Sequence, residues 1–76
     1  MTLDKSTKNI TYLIKSINAP DEKTQKRFFQ LGFNLGKKLT LKRKAPFFGD
    51  PLLFEIAESQ VALTKVEASY IEIIEE

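Results

Sequence analysis

The sequence contains no cysteine and no histidine. Disulfide bonds are therefore excluded, and so are nucleophiles of the Cys-His and Ser-His-Asp kinds, which depend on a thiolate or an imidazole. Only oxygen ligands remain for a metal ion, and the carboxylates are not spaced as in a calcium loop. We therefore expect a protein that is not an enzyme and that has no bound cofactor and no dedicated metal site.

Long apolar runs are also missing. No run approaches the roughly 18 residues of a transmembrane helix, and the polar start "MTLDKSTKN" lacks the apolar middle of a secretion signal. The 76 residues, 42% hydrophobic and 29% charged, have the composition of a soluble globular chain. We expect a cytoplasmic protein with one domain over residues 1–76.

Charge is divided unevenly along the chain. Residues 1–45 carry 11 Lys or Arg against 3 Asp or Glu, and residues 46–76 carry 1 against 7, so balances of +8 and −6 sum to +2. The interpretation we favour is that basic and acidic strands lie side by side in a sheet. The alternative is a nucleic-acid-binding strand with aromatic neighbours. Its basic residues would be Lys37, Lys38, Lys42, Arg43 and Lys44, and its aromatic platform Tyr12, Phe47 and Phe48.

Alternating apolar residues, β-branched residues and turn residues predict five short strands and one helix. The strands are predicted at residues 10–17, 38–45, 52–56, 61–65 and 70–74, with a helical turn at "KVEA" before the last strand. Short connections favour pairing between neighbours in sequence, and closing such a sheet into a small barrel removes exposed edges.

The helix is predicted from about Asp21 to Leu31, after Asn18 as an N-cap. Thr24, Phe28 and Leu31 follow one another at spacings of four and three, so they share a face that can lie on the sheet. Gly32 is expected to end the helix, since glycine tolerates the left-handed conformation that often follows a last turn.

The stretch "KAPFFGDPLLFEI", residues 44–56, has the composition of a hairpin tip. Its prolines cannot donate to a ladder, and Gly49 accepts a positive φ. If Ala45 faces Leu52 across this hairpin, Lys42 faces Glu55, unless a bulge shifts this register. Turn chemistry gives no reason for the adjacent aromatics Phe47 and Phe48, which need a burial partner.

Several motifs in a fixed order resemble the FeoA family, the small cytoplasmic component of bacterial ferrous iron uptake. They are "LGFNLG", "AP" followed by "GDP", and "VALTKVEA", within a match from about residue 28 to 73. The resemblance implies a mainly β fold: a small SH3-like five-stranded barrel with one helix inserted after the first strand and a short helical turn before the last strand.

The resemblance also implies a function. FeoA proteins act with FeoB, a membrane iron transporter with a cytoplasmic GTP-binding domain, so we expect a non-enzymatic interaction module that reaches the membrane only through its partner. We expect no stable binding of nucleic acid, although a nucleic-acid-binding barrel stays the alternative. A direct ferrous iron carrier is a third hypothesis, motivated by the pathway alone. The candidate partner-binding residues are Phe29, Phe33, Phe47, Phe48 and Arg43. The alternative is that the four phenylalanines complete the small core.

Overall fold

A computed structural model describes residues 1–46 and 48–76. The predicted mainly β fold is confirmed: five strands, a helix after the first strand and a helical turn before the last strand are all present. The elements are a 3-10 helix at Leu3–Lys5, β1 at Thr11–Ile17, α1 at Glu22–Gln30, β2 at Lys38–Lys44, β3 at Leu52–Ile56, β4 at Ser59–Leu63, α2 at Lys65–Ala68 and β5 at Ile71–Glu75. No helix in the described ranges is long and apolar enough to cross a membrane.

The strands form one antiparallel sheet in the order β4-β3-β2-β1-β5. In the described part of the chain the end strands β4 and β5 do not pair with each other. The helix α2 follows β4 directly and packs on the 3-10 helix, which in turn packs on β5. The sheet therefore curls around a core without a complete ring of hydrogen-bonded strands.

One apolar core lies inside the curled sheet. The predicted alternation in β2 holds as far as Leu41, because Leu39 and Leu41 are buried while Lys38 is exposed. After Leu41, the last three residues of β2 are all exposed. The helices and the 3-10 helix each close part of the core with one buried apolar side chain. The buried hydrophobic residues are Leu3, Tyr12, Ile14, Phe28, Phe33, Leu39, Leu41, Leu52, Phe54, Ile56, Leu63, Ala68, Ile71 and Ile73.

The N-cap of α1 is Asp21, not Asn18 as predicted. Asp21 has an extended backbone, and its Oδ1 accepts a hydrogen bond from the backbone N–H of Thr24 at 2.7 Å. Hydrogen bonds from the backbone and side chain of Thr24 lower the pKa of Asp21 below its ordinary value of 3.8. Asn18 instead extends the sheet, because its backbone N–H donates to the carbonyl of Tyr70 at 2.7 Å.

The end of α1 is a tight reversal. Gly32 has φ +95°, its N–H donates to the carbonyl of Phe29 at 3.1 Å, and the N–H of Phe33 donates to the carbonyl of Phe28 at 2.9 Å. These two bonds form a Schellman motif, so the predicted helix stop at Gly32 is confirmed. The reversal brings the ring of Phe33 to 6.2 Å from that of Phe28, edge to face at 65°.

The predicted register of the β2–β3 hairpin is wrong. Thr40, rather than Lys42, pairs with Glu55, and Lys44 pairs with Leu52. The reason is a bulge, since the register shifts between the two pairings and leaves Lys42 as an extra residue in β2. The predicted hairpin tip itself is present, and across it the N–H of Ala45 donates a 3.0 Å hydrogen bond to the carbonyl of Pro51.

The strand β4 begins two residues earlier than predicted. A two-residue turn at Ala57 and Glu58, with φ of +49° and +66°, joins β3 directly to β4 at Ser59. Positive φ at both turn positions matches the twist of a β hairpin. The strand then ends at Leu63, because Thr64 caps α2 with a capping box.

The ion pairs join the two unequally charged parts of the chain. Lys38 Nζ lies 2.6 Å from a carboxylate oxygen of Glu76, and Arg27 pairs with Glu67. The N-terminal ammonium lies 3.1 Å from Glu72. Each pair therefore links the basic first 45 residues to the acidic remainder. Within the described residues, however, none of the three joins β2 to β3, where the sequence predicted charge pairing.

Candidate partner-binding surface

Two large apolar side chains are exposed to solvent beside each other on the surface. Phe29 on α1 is 69% exposed, and Leu35 in the loop after α1 is 67% exposed. Both line one surface groove, together with Ile17 at the end of β1 and the edge of the buried Phe33. We call this the α1 groove. Its polar lining residues are Ser16, Gln25 and Asn34.

The local sequence explains how the α1 groove is built. Phe28 and Phe29 differ by about 100° around the helix, so burial of the first turns the second toward solvent. The loop after the helix is then fixed to β1, because Gly36 N–H donates to the carbonyl of Ile14 at 2.9 Å and Ile14 N–H donates to that of Lys37 at 3.0 Å. Leu35 is therefore held beside Phe29 by backbone bonds on its C-terminal side.

Phe33, one of the predicted partner-binding residues, does not lie on the surface. It has 0% exposure and packs against Phe28, since the Schellman motif folds the chain back over the last turn. Phe33 is nevertheless one of the residues that line the α1 groove. The exposed apolar side chains of the α1 groove are therefore Phe29 and Leu35.

A second exposed apolar spot lies at the tip of the β2–β3 hairpin. Phe48 is 93% exposed and Val66 on α2 is 62% exposed. The tip is attached to α2 by Lys65, whose Nζ donates to the carbonyl of Phe48 at 2.8 Å and whose N–H donates to Asp50 Oδ1 at 3.0 Å. The predicted role of Phe47 falls outside the described residues.

Arg43 is exposed on the outer face of β2. It lines a separate groove with Leu53 of β3 and Ala62 of β4, and neither Phe29 nor Phe48 lines that groove. The predicted partner-binding residues that the structure describes are therefore distributed over three places: the α1 groove, the hairpin tip and the outer face of the sheet.

The predicted aromatic platform for nucleic acid does not include Tyr12. Its side chain is only 2% exposed, and its hydroxyl accepts a hydrogen bond from the N–H of Thr7 at 3.0 Å. Lys38, one of the predicted basic residues, is paired with Glu76. Stacking of bases on Tyr12 would require opening of the core.

Sequence reasoning missed Leu35 and Val66. A signal for Leu35 was present, because a large apolar residue stood in a loop between two predicted glycine turns, where a side chain has few core neighbours. For Val66 the signal was weaker, since a four-residue helix does not reveal which face is buried. Within residues 1–46 and 48–76, no group of three carboxylates is placed to hold a metal ion.

Comparison with known families adds to this geometry. The model of the FeoA domain family matches residues 1–75. The chain belongs to the FeoA domain family. No curated protein sequence matches it significantly.

Solved structures share the fold over nearly the whole chain. Iron(II) transport protein A from Clostridium thermocellum is 27% identical with a TM-score of 0.90, and the match covers 99% of this chain and 45% of that one. FeoA from Stenotrophomonas maltophilia, solved with zinc and described as an SH3 domain protein, is 25% identical with a TM-score of 0.84, covering 97% and 89%. FeoA from Chlorobium tepidum is 25% identical with a TM-score of 0.89, covering 99% and 70%. The SH3-like fold is therefore confirmed, although the chain spans less than half the length of the Clostridium thermocellum chain.

Proposed function

We propose that this protein is a non-enzymatic accessory protein of bacterial ferrous iron uptake, which acts in the cytoplasm by binding the GTP-binding portion of a FeoB-type transporter. Membership of the FeoA family supports the role in ferrous iron transport. The Stenotrophomonas maltophilia relative is itself described as a candidate activating factor of ferrous iron transport.

The observation that supports binding to a protein is the pair of exposed apolar side chains in the α1 groove. Phe29 and Leu35 are each about two-thirds exposed, at 69% and 67%, although one lies in a helix and the other next to hydrogen-bonded loop residues. An exposed apolar patch with a polar rim is a common mark of a protein interface. Glu22, Gln25 and Lys26 provide that rim on the helix side of Phe29.

The size of the effect can be estimated. Full burial of one Phe or Leu side chain contributes roughly 1.5–3 kcal/mol, and anchors of this kind at the centre of an interface cost about 2 kcal/mol or more when truncated. Two such anchors would supply a substantial part of the roughly 8 kcal/mol that corresponds to micromolar affinity. The backbone bonds that fix Leu35 also reduce the entropy lost on binding.

Regulation of a transporter needs more than binding. A bound accessory protein shifts the transporter between two conformations only if it binds one of them more tightly. The test must therefore include the nucleotide state of the partner, with GDP and with a non-hydrolysable GTP analogue. A difference in affinity between these states gives the direction and the size of the regulatory effect.

The direct experiment is a titration of the purified soluble domain of the FeoB-type transporter with the wild-type protein and with Phe29→Ala and Leu35→Ala. We expect each substitution to weaken binding about 10-fold or more, which corresponds to about 1.4 kcal/mol. The matched control is Ile74→Ala, because Ile74 is an exposed apolar residue, at 46%, on β5 rather than in the α1 groove. Phe48→Ala tests whether the hairpin tip contributes.

Circular dichroism and thermal unfolding confirm that each variant is folded before its affinity is interpreted. If both α1-groove variants are folded and bind as tightly as the wild type, the α1 groove is not the binding surface. If the wild type itself does not bind the domain in either nucleotide state, the proposed partner is wrong.

A further inference from the structure

The strand β4 leaves one edge of the sheet open. Because a two-residue turn joins β3 to β4, the Ile56–Ser59 pair closest to the turn is hydrogen-bonded, and pairs alternate from there. Gln60 and Ala62 consequently point their N–H and C=O groups away from β3. Within the part of the chain that the structure describes, these groups have no other hydrogen-bond partner.

The opposite edge of the sheet is protected. On β5 the N–H of Ile73 donates to the carbonyl of Met1 at 2.8 Å, and Thr2 forms an antiparallel bridge with Glu72. Edge strands are usually blocked by lysine, proline, bulges or a covering segment. The sequence of β4, "SQVAL", has no lysine and no proline, and its register with β3 is regular. One edge is thus covered by the chain's own N-terminus, and the β4 edge is open.

The open edge borders a groove with an apolar floor and a basic rim. Ala62 lines this groove together with Leu53 and Pro51, and Arg43 and Lys44 stand at its side. Neither Arg43 nor Lys44 takes part in an ion pair within the described ranges. The positive charge beside the hairpin-tip end of β4 is therefore free to attract an acidic ligand.

The turn end of β4 carries the opposite charge. Glu55 on β3 pairs with Gln60, and Glu58 stands in the turn itself, and both carboxylates are exposed. A ligand lying along the whole edge would therefore meet positive charge at one end and negative charge at the other. Its own charge should be confined to the end near Arg43.

We propose that the β4 edge binds an extended peptide as a sixth, antiparallel strand, with an acidic residue opposite Ala62 and uncharged residues toward the β3–β4 turn. An antiparallel strand begins at the hairpin-tip end of β4, so the acidic residue belongs to the N-terminal half of the peptide. The backbone groups of Gln60 and Ala62 supply the affinity, and Arg43 supplies selectivity through charge. This site is distinct from the α1 groove and does not depend on the proposed function.

A second copy of the chain fits the edge less well. If two β4 strands paired antiparallel about Val61, Ala62 would face Gln60 of the other copy. Arg43, Leu53 and Ala62 are cross-strand neighbours in one row, which would continue through Gln60 to Glu55 of the other copy. Glu55 of the other copy would then lie four strand spacings from Arg43, or about 19 Å. A peptide can place a glutamate directly beside Ala62, one strand spacing nearer to Arg43, at about 14 Å between backbones. Arg43 also lines the same groove as Ala62.

The test uses two synthetic peptides, Ac-EVEVTVT-NH2 and the matched Ac-KVKVTVT-NH2, added to the ¹⁵N-labelled protein. We expect the glutamate peptide to bind at least 5-fold more tightly at low salt. It should shift the amide signals of Gln60 and Ala62 and slow their hydrogen exchange. Ala62→Pro should abolish binding, since it removes an outward N–H that the β3–β4 ladder does not use. Ala62→Thr keeps that N–H and should bind normally, and Arg43→Gln should weaken binding of the glutamate peptide only.

Several results would overturn the proposal. One is equal affinity for the two peptides, and another is wild-type amide shifts that fall outside β4. A concentration-dependent dimer that Ala62→Pro dissociates would assign the edge to a second copy. Binding of single-stranded oligo(U) at Arg43 and Lys44, without protection of the Gln60 and Ala62 amides, would assign the basic rim to nucleic acid. The wild-type exchange measurement remains decisive even if Ala62→Pro does not fold.

Discussion

Phe29 and Phe33 are four residues apart, and the structure predicts opposite consequences for the same substitution at each. Phe33 has 0% exposure and lies edge to face against Phe28, whereas Phe29 is 69% exposed. Replacing a buried phenylalanine with alanine leaves a cavity and costs about 3–5 kcal/mol. At Phe29 little packing is lost, and alanine is the better helix former, so we expect a change within about 0.5 kcal/mol.

The loss at Phe33 must be compared with the whole stability of the domain. At about 0.05–0.15 kcal/mol per residue, 76 residues give roughly 4–11 kcal/mol. Phe33→Ala would therefore remove a large part of the free energy of unfolding and could leave the chain mostly unfolded. Phe33→Leu is the milder variant, with an expected loss of roughly 1–2 kcal/mol from reduced volume and the lost aromatic pair.

The assay is urea unfolding followed by circular dichroism, with thermal unfolding as a second measurement. For a domain of this size, about 1 kcal/mol lowers Tm by roughly 4–8 °C, so Phe33→Leu should lower Tm by about 4–16 °C. Phe29→Leu is the matched control and should leave Tm nearly unchanged. Equal losses at the two positions would refute the assignment of one phenylalanine to the core and the other to the surface.

Two further predictions concern the ends of α1. Gly32→Ala should lower the free energy of unfolding by roughly 1–2 kcal/mol, because Gly32 has φ +95°. An added Cβ would meet nothing within 4 Å, so the loss comes from the backbone conformation alone. Gly32→Asn should lose less stability in the same urea assay. Because the pKa of Asp21 is lowered in the folded protein, its contribution is present above its ordinary pKa of 3.8 and is lost as the pH falls below that value. Asp21→Asn keeps the cap without the titration, so its Tm should depend less on pH between about 5 and 2 than that of the wild type; identical pH profiles would contradict this.

The five strands, α1 and α2 could be predicted from the sequence because each depends on a local signal. Leu39 and Leu41 alternate with lysines, and Gly32 follows the last turn of an apolar-faced helix. The register of the β2–β3 hairpin could not be predicted, since the bulge at Lys42 depends on how two strands and a tip fit together. Such a fit has no signature in one strand alone.

The N-terminal segment shows the same limit. Residues 1–9 are mostly polar and gave no strand or helix pattern, yet Leu3 is fully buried and the carbonyl of Met1 pairs with β5. A single apolar residue in a polar run carries no periodicity, so only its position in space reveals that it completes the core. The same segment covers the β5 edge and leaves the β4 edge as the open one.

By itself, the sequence determined the order of the five strands and two α-helices and the family, because these depend on residue types and their order. Only the tertiary structure decided which aromatic side chains face solvent. The same phenylalanine side chain is buried at positions 28 and 33 and exposed at Phe29. This difference in burial follows from helix phase and from the reversal at Gly32. Burial is a property of how elements pack, and so the surface available to a partner appears only once the chain is folded.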